Sequence, residues 1–471
     1  MNSHFGRMRM IKSKTFLESQ NIVSAWMVDD LGRLEGKFFQ LEQALYLNRL
    51  DEAEELLSEI GLMKGLSIHQ MVALAFARAE YSYWRVCYGE AQEHFEGALY
   101  LSKAGLNDPF LMARAYYGLA RIERKRAHYE AAIELLNQAS DKLRGLTGSK
   151  VKYLDALIRF NRGVIQEYLG DLTQAEQTLS KAVKDLKAIE GGRFYGIALN
   201  SLGITLLHLG RYEEVLSLCM KATDIFSQHA ILDDLAHSRY HSAFALVRLR
   251  RYQEAERILL DCLELDRRLG DPARESLSLG LLAELSLERG DYLQALQLAK
   301  QSVEIGELSQ NNYVLAEALI ALGRALAFQD RTGAITTLQR ALEIATAEGE
   351  KRQQIEAYIY LADITSGMDR VQANQYLEAG VKLLEVCPVK YIEPEVENVR
   401  KKFAQNPIEI DEDKLTIYRN RLPSWKTAKR SVEMFLLKSA LKQTNYSGTE
   451  TARLLKISKA TVTEKRCLYK I

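Results

Sequence analysis

Along most of this chain apolar residues recur every three or four positions, the spacing that gives an α-helix one buried face. That pattern itself repeats. The run RYEEVLSLCMKA (Arg211 to Ala222) returns as RYQEAERILLDC (Arg251 to Cys262) and as DYLQALQLAKQS (Asp291 to Ser302). Earlier copies read HYEAAIELLNQA (His128 to Ala139) and DLTQAEQTLSKA (Asp171 to Ala182). One small apolar position marks each copy: Ala53, Ala91, Ala132, Ala175, Val215, Ala255, Ala295, Ala334 and Ala373, at gaps of 38, 41, 43, 40, 40, 40, 39 and 39 residues. Nine copies at so even a spacing predict nine stacked units.

Each unit has an upstream half. Twelve residues before the marker stands a small residue, as in Leu119-Ala120, Leu202-Gly203 and Leu282-Ala283, with Arg162-Gly163 and Ser242-Ala243 in the same slot. Leu322-Gly323 and Leu361-Ala362 serve the last two units, which are one residue shorter there. Gly170, Gly210 and Gly290 then precede the turn. Small residues at the crossing points let two antiparallel helices approach closely, the glycine ends the first, and the aromatic or leucine after it fills the wedge between them. This grammar resembles the tetratricopeptide repeat, from roughly Gly36 to Leu384. The units exceed the usual period of about 34 residues, and in this they are similar to the extended repeats of MalT-like and Rap-type bacterial regulators. The resemblance implies an all-α fold, with about nine helical hairpins wound into a right-handed superhelix around a concave groove. Residues 1–35 then form an N-terminal helical cap, and residues 36–405 the array.

The end of the chain differs in charge. The whole carries 63 Lys and Arg against 62 Asp and Glu. From Ser424 to Ile471, however, eleven basic residues face three acids, a charge of +8, which leaves −7 for everything before. Between the two lie four of the six prolines (Pro388, Pro394, Pro407, Pro423) around the acidic run Glu409 to Asp413, so residues 406–423 read as a linker.

Residues 424–471 predict three short helices. Met434, Leu437, Ala440 and Leu441 form one stripe, Thr449 is placed to cap a helix carrying Ala452, Leu454 and Leu455, and Ser458 to cap a third with Val462 inward. The segment resembles the Fis-type helix-turn-helix at the C-terminus of bacterial enhancer-binding regulators. The matching residues are Ala440-Leu441, Thr451-Ala452-Arg453-Leu454-Leu455, Ile457-Ser458-Lys459, Thr461-Val462, Lys465 and Tyr469-x-Ile471. It departs at Tyr446-Ser447, at Lys456 where the turn glycine stands, and at Arg466 in place of a core leucine. The resemblance implies DNA as partner. Lys459, Ala460, Thr461 and Thr463 would occupy the first turns of the recognition helix, where base edges are met. Arg453, Lys456, Lys465 and Lys470 would lie near phosphates, which strengthen binding without carrying sequence information. Modules of this kind usually pair, so a homodimer on a pseudo-palindromic site is expected.

The groove has candidates of its own. In such repeats the position three residues before the small crossing residue points inward. Here it holds Phe76, Tyr117, Phe160, Asn200 and Tyr240, with Arg114, Arg124, His237 and Arg248 nearby. An aromatic ladder flanked by cations suits an extended peptide or an acidic partner segment. Packing between repeats is the competing account of any single aromatic.

Other signals are weaker. His237 and His241 have a spacing that can chelate zinc, but no third ligand is evident and no metal is expected. Gly145-Leu-Thr-Gly-Ser-Lys150 lacks phosphate-loop spacing, so no nucleotide cofactor and no ATP-driven polymerase remodelling are expected. Five scattered cysteines without a C-x-x-C fit a reducing cytoplasm, and no stretch approaches the ~20 apolar residues of a membrane span. With no catalytic constellation, the chain reads as a non-enzymatic transcription regulator. Its repeats would bind a peptide or partner protein and its tail DNA. The alternative is an adaptor whose basic tail docks on protein or RNA.

Overall fold

The computed structural model of the chain describes residues 28–189, 191–405, 408–410, 415–417 and 425–469. Lys470, most of the expected N-terminal cap and most of the expected linker lie outside them. Nine helix pairs follow one another. They are α1 (Glu35–Tyr46) with α2 (Leu50–Gly61), α3 (Ile68–Trp84) with α4 (Tyr88–Leu101), and α5 (Pro109–Lys125) with α6 (Tyr129–Leu143). Next come α7 (Ser149–Tyr168) with α8 (Leu172–Ile189), α9 (Arg193–His208) with α10 (Tyr212–His229), and α11 (Leu232–Arg248) with α12 (Tyr252–Leu269). The last are α13 (Pro272–Glu288) with α14 (Tyr292–Leu308), α15 (Asn312–Leu326) with α16 (Arg331–Ala347), and α17 (Lys351–Thr365) with α18 (Arg370–Val386). A single turn, Lys390–Ile392, leads into α19 (Glu393–Gln405).

The nine marker positions explain the stacking. From Ala53 to Ala373 every one of them is 0% exposed. Where the partner position is glycine it can be as tight: a Cβ added at Gly163 would lie 2.7 Å from Leu179, and one at Gly323 2.5 Å from Leu338. At those contacts only hydrogen fits.

Between the helices of each of the first seven pairs, the chain closes with a left-handed residue. Gly170, Gly210 and Gly290 adopt φ of +89°, +76° and +82°. The same slot holds Asn48, Val86, Ala127 and Arg250 at +57° to +65°. The residue after it donates its N–H back to the last turn, as Asp171 does to Gln166 (3.0 Å) and Cys87 to Ser82 (2.9 Å). This satisfies carbonyls the helix end leaves open. Helix starts are fixed locally: Ser67 and Gln70 form a reciprocal capping box, and Asp108 and Asp271 cap helices that open with Pro109 and Pro272.

Successive turns of the superhelix touch. The Arg193 N–H donates to the Tyr46 hydroxyl (2.7 Å) and its Nη1 to the Tyr46 carbonyl (2.8 Å), tying the fifth pair to the first. Asn48 Nδ2 donates to Asp233 of the sixth pair at 2.8 Å. At the far end, a Cβ on Gly170 would lie 2.6 Å from the Val386 carbonyl oxygen.

Beyond the array the fold stays mainly helical, with one departure. Ile408–Ile410 and Leu415–Ile417 pair as a two-stranded antiparallel ribbon, β1 and β2, in the stretch expected to be unstructured linker. Isoleucine and leucine alternate there with polar residues, a strand period that the prolines and acids around it mask in the sequence. The C-terminal helices are α20 (Trp425–Gln443), α21 (Gly448–Leu454) and α22 (Lys459–Tyr469). Leu437, Leu441, Ala452 and Val462 form their small core. Ser447, rather than Thr449, caps α21, and Ser458 Oγ accepts from the Thr461 N–H at 3.0 Å.

Candidate functional site

The first helix of each pair faces inward, and the inward faces form two recesses. The N-terminal recess, about 480 Å³ and open at its mouth, is walled by Tyr46, Trp84, Tyr117, Tyr153 and Phe194, with Leu45 and Leu157. Its rings meet at angles: Tyr153 lies edge-on to Phe194 at 6.3 Å, and Tyr46 is tilted against it at 5.9 Å. Charges beneath the rings are already matched. Arg121 Nη1 donates to both oxygens of Glu80 (2.7 and 2.9 Å), and Arg114 Nη2 to Glu42 (3.0 Å). The Arg121 guanidinium also lies 3.9 Å from the Tyr83 ring centroid, and that of Arg193 4.4 Å from the Trp84 ring.

Electrostatics follow from this enclosure. Burial raises the Glu42 carboxyl despite Arg114, and raises the Tyr117 phenol to about 12. Tyr83 goes the other way: burial opposes its ionisation, but Arg121, Arg124 and Lys125 together outweigh it. The recess therefore presents an aromatic surface over a neutralised floor. An apolar or aromatic side chain can enter without stranding a charge.

The C-terminal recess, about 490 Å³, is polar. Glu284 Oε1 bridges Arg248 (2.8 Å) and Arg324 (2.7 Å), which joins α11, α13 and α15. Arg352 pairs with Glu356 at 2.6 Å and with Glu317.

The inward residues expected from the sequence divide between these places. Tyr117 walls the first recess, while Tyr240 and Arg248 line the second. Arg114 is a correction. It is 1% exposed, is held by Glu42 and stacks on Phe76 at 4.2 Å, so it serves the core. Phe160 and Asn200 are buried as well, and Asn200 Oδ1 accepts from Ser238 at 3.0 Å. Arg124 is half-buried beside the first recess without lining it. His237 is exposed, with its ring 6.1 Å from that of His241, whose imidazole is half-buried and held down to about 3 by burial. Among the described residues no cluster of three His, Cys, Asp or Glu could hold a metal.

Trp84, Tyr153, Phe194, Glu80 and Arg121 were missed. Their signal was present: Glu80 and Arg121 stand four residues beyond Phe76 and Tyr117, and Tyr153 seven before Phe160, all on the same helix face.

In the C-terminal helices, Lys459, Ala460, Thr463, Arg453 and Lys456 are exposed, and Thr461 is half-buried with its Oγ1 2.8 Å from Ser458 Oγ. Lys465 is engaged. Its ammonium donates to Glu433 on α20 at 2.6 Å, where the Tyr469 hydroxyl also donates at 2.7 Å.

Residues 234–307 match the model of the tetratricopeptide repeat. A Drosophila melanogaster protein, tetratricopeptide repeat protein 19 homolog, mitochondrial, is 26% identical over 172 residues, 36% of this chain and 46% of its own length. The chain thus spans about half of that relative. In structure the array is similar to the apo form of RapI (TM-score 0.52, 16% identity, 75% of this chain and 97% of that one). It is also similar to the quorum sensor NprR from B. thuringiensis in its apo form (TM-score 0.55, 15% identity, 74% and 98%). The likeness extends to NprR in complex with its cognate peptide NprX (TM-score 0.51, 16% identity, 75% and 99%). The array is a tetratricopeptide-like repeat superhelix. Among the described residues no helix is long and apolar enough to cross a membrane.

Proposed function

We propose that this chain is a cytoplasmic, non-enzymatic regulator whose repeat array binds a peptide or a segment of a partner protein and whose C-terminal helices bind DNA. The carrying observation is the N-terminal recess: five aromatic walls on the inward face, above ion pairs that need nothing from a ligand. Such a surface gains from burying a side chain and keeps its own charges matched. NprR, whose fold this array shares, is known in complex with a peptide. On the DNA side, Ser458 caps α22, and Lys459, Ala460 and Thr463 are exposed on its first turns with Arg453 and Lys456 close in sequence. A homodimer would read two half-sites, since one short helix spans few base pairs.

The adaptor reading keeps one observation. Leu454, Ile457 and Leu468 are 50%, 38% and 58% exposed, as a protein-docking surface would have them. A gel shift on genomic fragments with the full chain and with a chain ending at residue 423 decides between them. Specific shifting lost on truncation supports the regulator, and no specific shift by the full chain favours the adaptor. For the recess, peptides selected on the full chain should lose binding with Trp84→Ala; unchanged binding would move the site elsewhere.

A further inference from the structure

A socket that shares its wall with the polar recess already has an occupant. Tyr391, in the turn between α18 and α19, is 5% exposed and reaches across from the end of the array. Its ring stands edge-on to Phe244 of α11 (5.5 Å, 70°), with the Arg248 guanidinium 4.8 Å from the ring centroid. Its hydroxyl accepts from Arg352 Nη1 at 3.1 Å and donates to Glu356 of α17. Ring, cation and two hydroxyl partners together read a phenol: an aromatic face for the ring, one donor and one acceptor for the oxygen.

The fit is incomplete. Arg248 Nε is buried without a hydrogen-bond partner. A buried polar group left unmatched is costly, so a segment that satisfied it would bind better than the resident one. Space remains as well, because Tyr240, Glu284 and Arg324 line the open part of the recess.

We propose that this recess is a second peptide site, specific for a tyrosine-bearing segment, and that Tyr391 is its built-in competitor. A peptide that places its own tyrosine between Phe244, Arg248, Arg352 and Glu356 expels Tyr391. With it goes the turn Lys390–Ile392, which fixes the start of α19. Occupancy is thereby converted into release of the chain that leads to the C-terminal helices. This rests on the reading of the array as a peptide receptor, but uses a different recess from the one tested above.

The probe is the chain's own segment, a synthetic peptide of residues 386–396 with serine at Cys387, fluorescently labelled. It is titrated against the full wild-type chain and the full Tyr391→Ala chain. A resident competitor that is in place nine-tenths of the time lowers apparent affinity about tenfold, so the variant should bind the peptide about tenfold more tightly. A peptide with phenylalanine at Tyr391 should bind about tenfold more weakly, having lost the bonds to Arg352 and Glu356. Equal binding to both chains, or no binding to a variant whose circular dichroism is native, overturns the proposal. If Tyr391→Ala fails to fold, the wild-type chain still answers. Excess tyrosine peptide, made with glutamine in place of its own lysine so that trypsin leaves it intact, should accelerate tryptic cleavage of the chain after Lys390 and the matching phenylalanine peptide should not, and no acceleration overturns it. Trp84→Ala should leave all of this unchanged, so failure of the N-terminal recess and failure of this one are separable.

Discussion

At the scale of single residues, one backbone conformation recurs with different side chains in it, and the cost differs each time. Val86 holds φ +65°, and its side chain is 65% exposed. A β-branched residue there strains the backbone for no packing in return, at roughly 1–2 kcal/mol. Val86→Gly should raise stability in urea unfolding by about 0.5–1 kcal/mol, once the extra freedom of glycine in the unfolded chain is allowed for. Gly170 occupies the same slot with φ +89°, and a Cβ there meets the Val386 carbonyl oxygen at 2.6 Å. Gly170→Ala should lower stability by about 2 kcal/mol or more, the opposite sign at the equivalent position. Lys456, at φ +55° in the turn before α22, belongs with Val86.

At the scale of elements, neighbouring inner helices are joined by charge pairs about one repeat apart: Glu80 with Arg121, Asp233 with Arg274, Glu284 with Arg324. Glu284 sits between two guanidiniums. Burial opposes its charge, yet Arg248 and Arg324 outweigh it and lower its carboxyl to about 2. It contributes stability above its ordinary value of 4.5 that is lost as pH falls through about 2. Glu284→Gln leaves two buried cations facing each other and should cost about 3–5 kcal/mol at neutral pH, with a flatter acid limb in its pH–stability curve. Asp266 has the reverse sign. Burial raises it to about 6, more than Ser278 and Arg274 can offset. Its contribution is present below 3.8 and is lost as pH rises through about 6. Asp266→Asn should therefore raise the melting temperature at pH 8, by an amount equivalent to about 1–3 kcal/mol, and change little at pH 4.

At the scale of the molecule, an open repeat array is held by nearest neighbours alone, and its ends unfold first. This array has a second set of contacts, between turns. Arg193, 1% exposed, bonds Asp234, the Tyr46 carbonyl and, through its N–H, the Tyr46 hydroxyl. Arg193→Ala should release the first pairs from the fifth. The expected outcome is amide exchange in residues 35–101 accelerated well beyond that in residues 272–347; uniform change across the array would count against such coupling.

What the sequence determined by itself was whatever a forty-residue period can encode. The column from Ala53 to Ala373 and the small residues at the helix crossings are local rules repeated along the array, and each copy reports the same environment. Phe76 and Tyr117 pointed to the inward face, and Ser458 to the start of α22. The tertiary structure decided what has no period. Arg114 looked like a groove cation until Glu42, from two pairs earlier, proved to hold it. The N-terminal recess exists because Phe194 comes within ring contact of Tyr46, 148 residues away, and Tyr391 from the far end of the array packs against Phe244 on the wall of the polar recess. Those juxtapositions depend on how tightly the superhelix winds. Winding is set by the sum of small rotations over many interfaces, and no single repeat carries that sum.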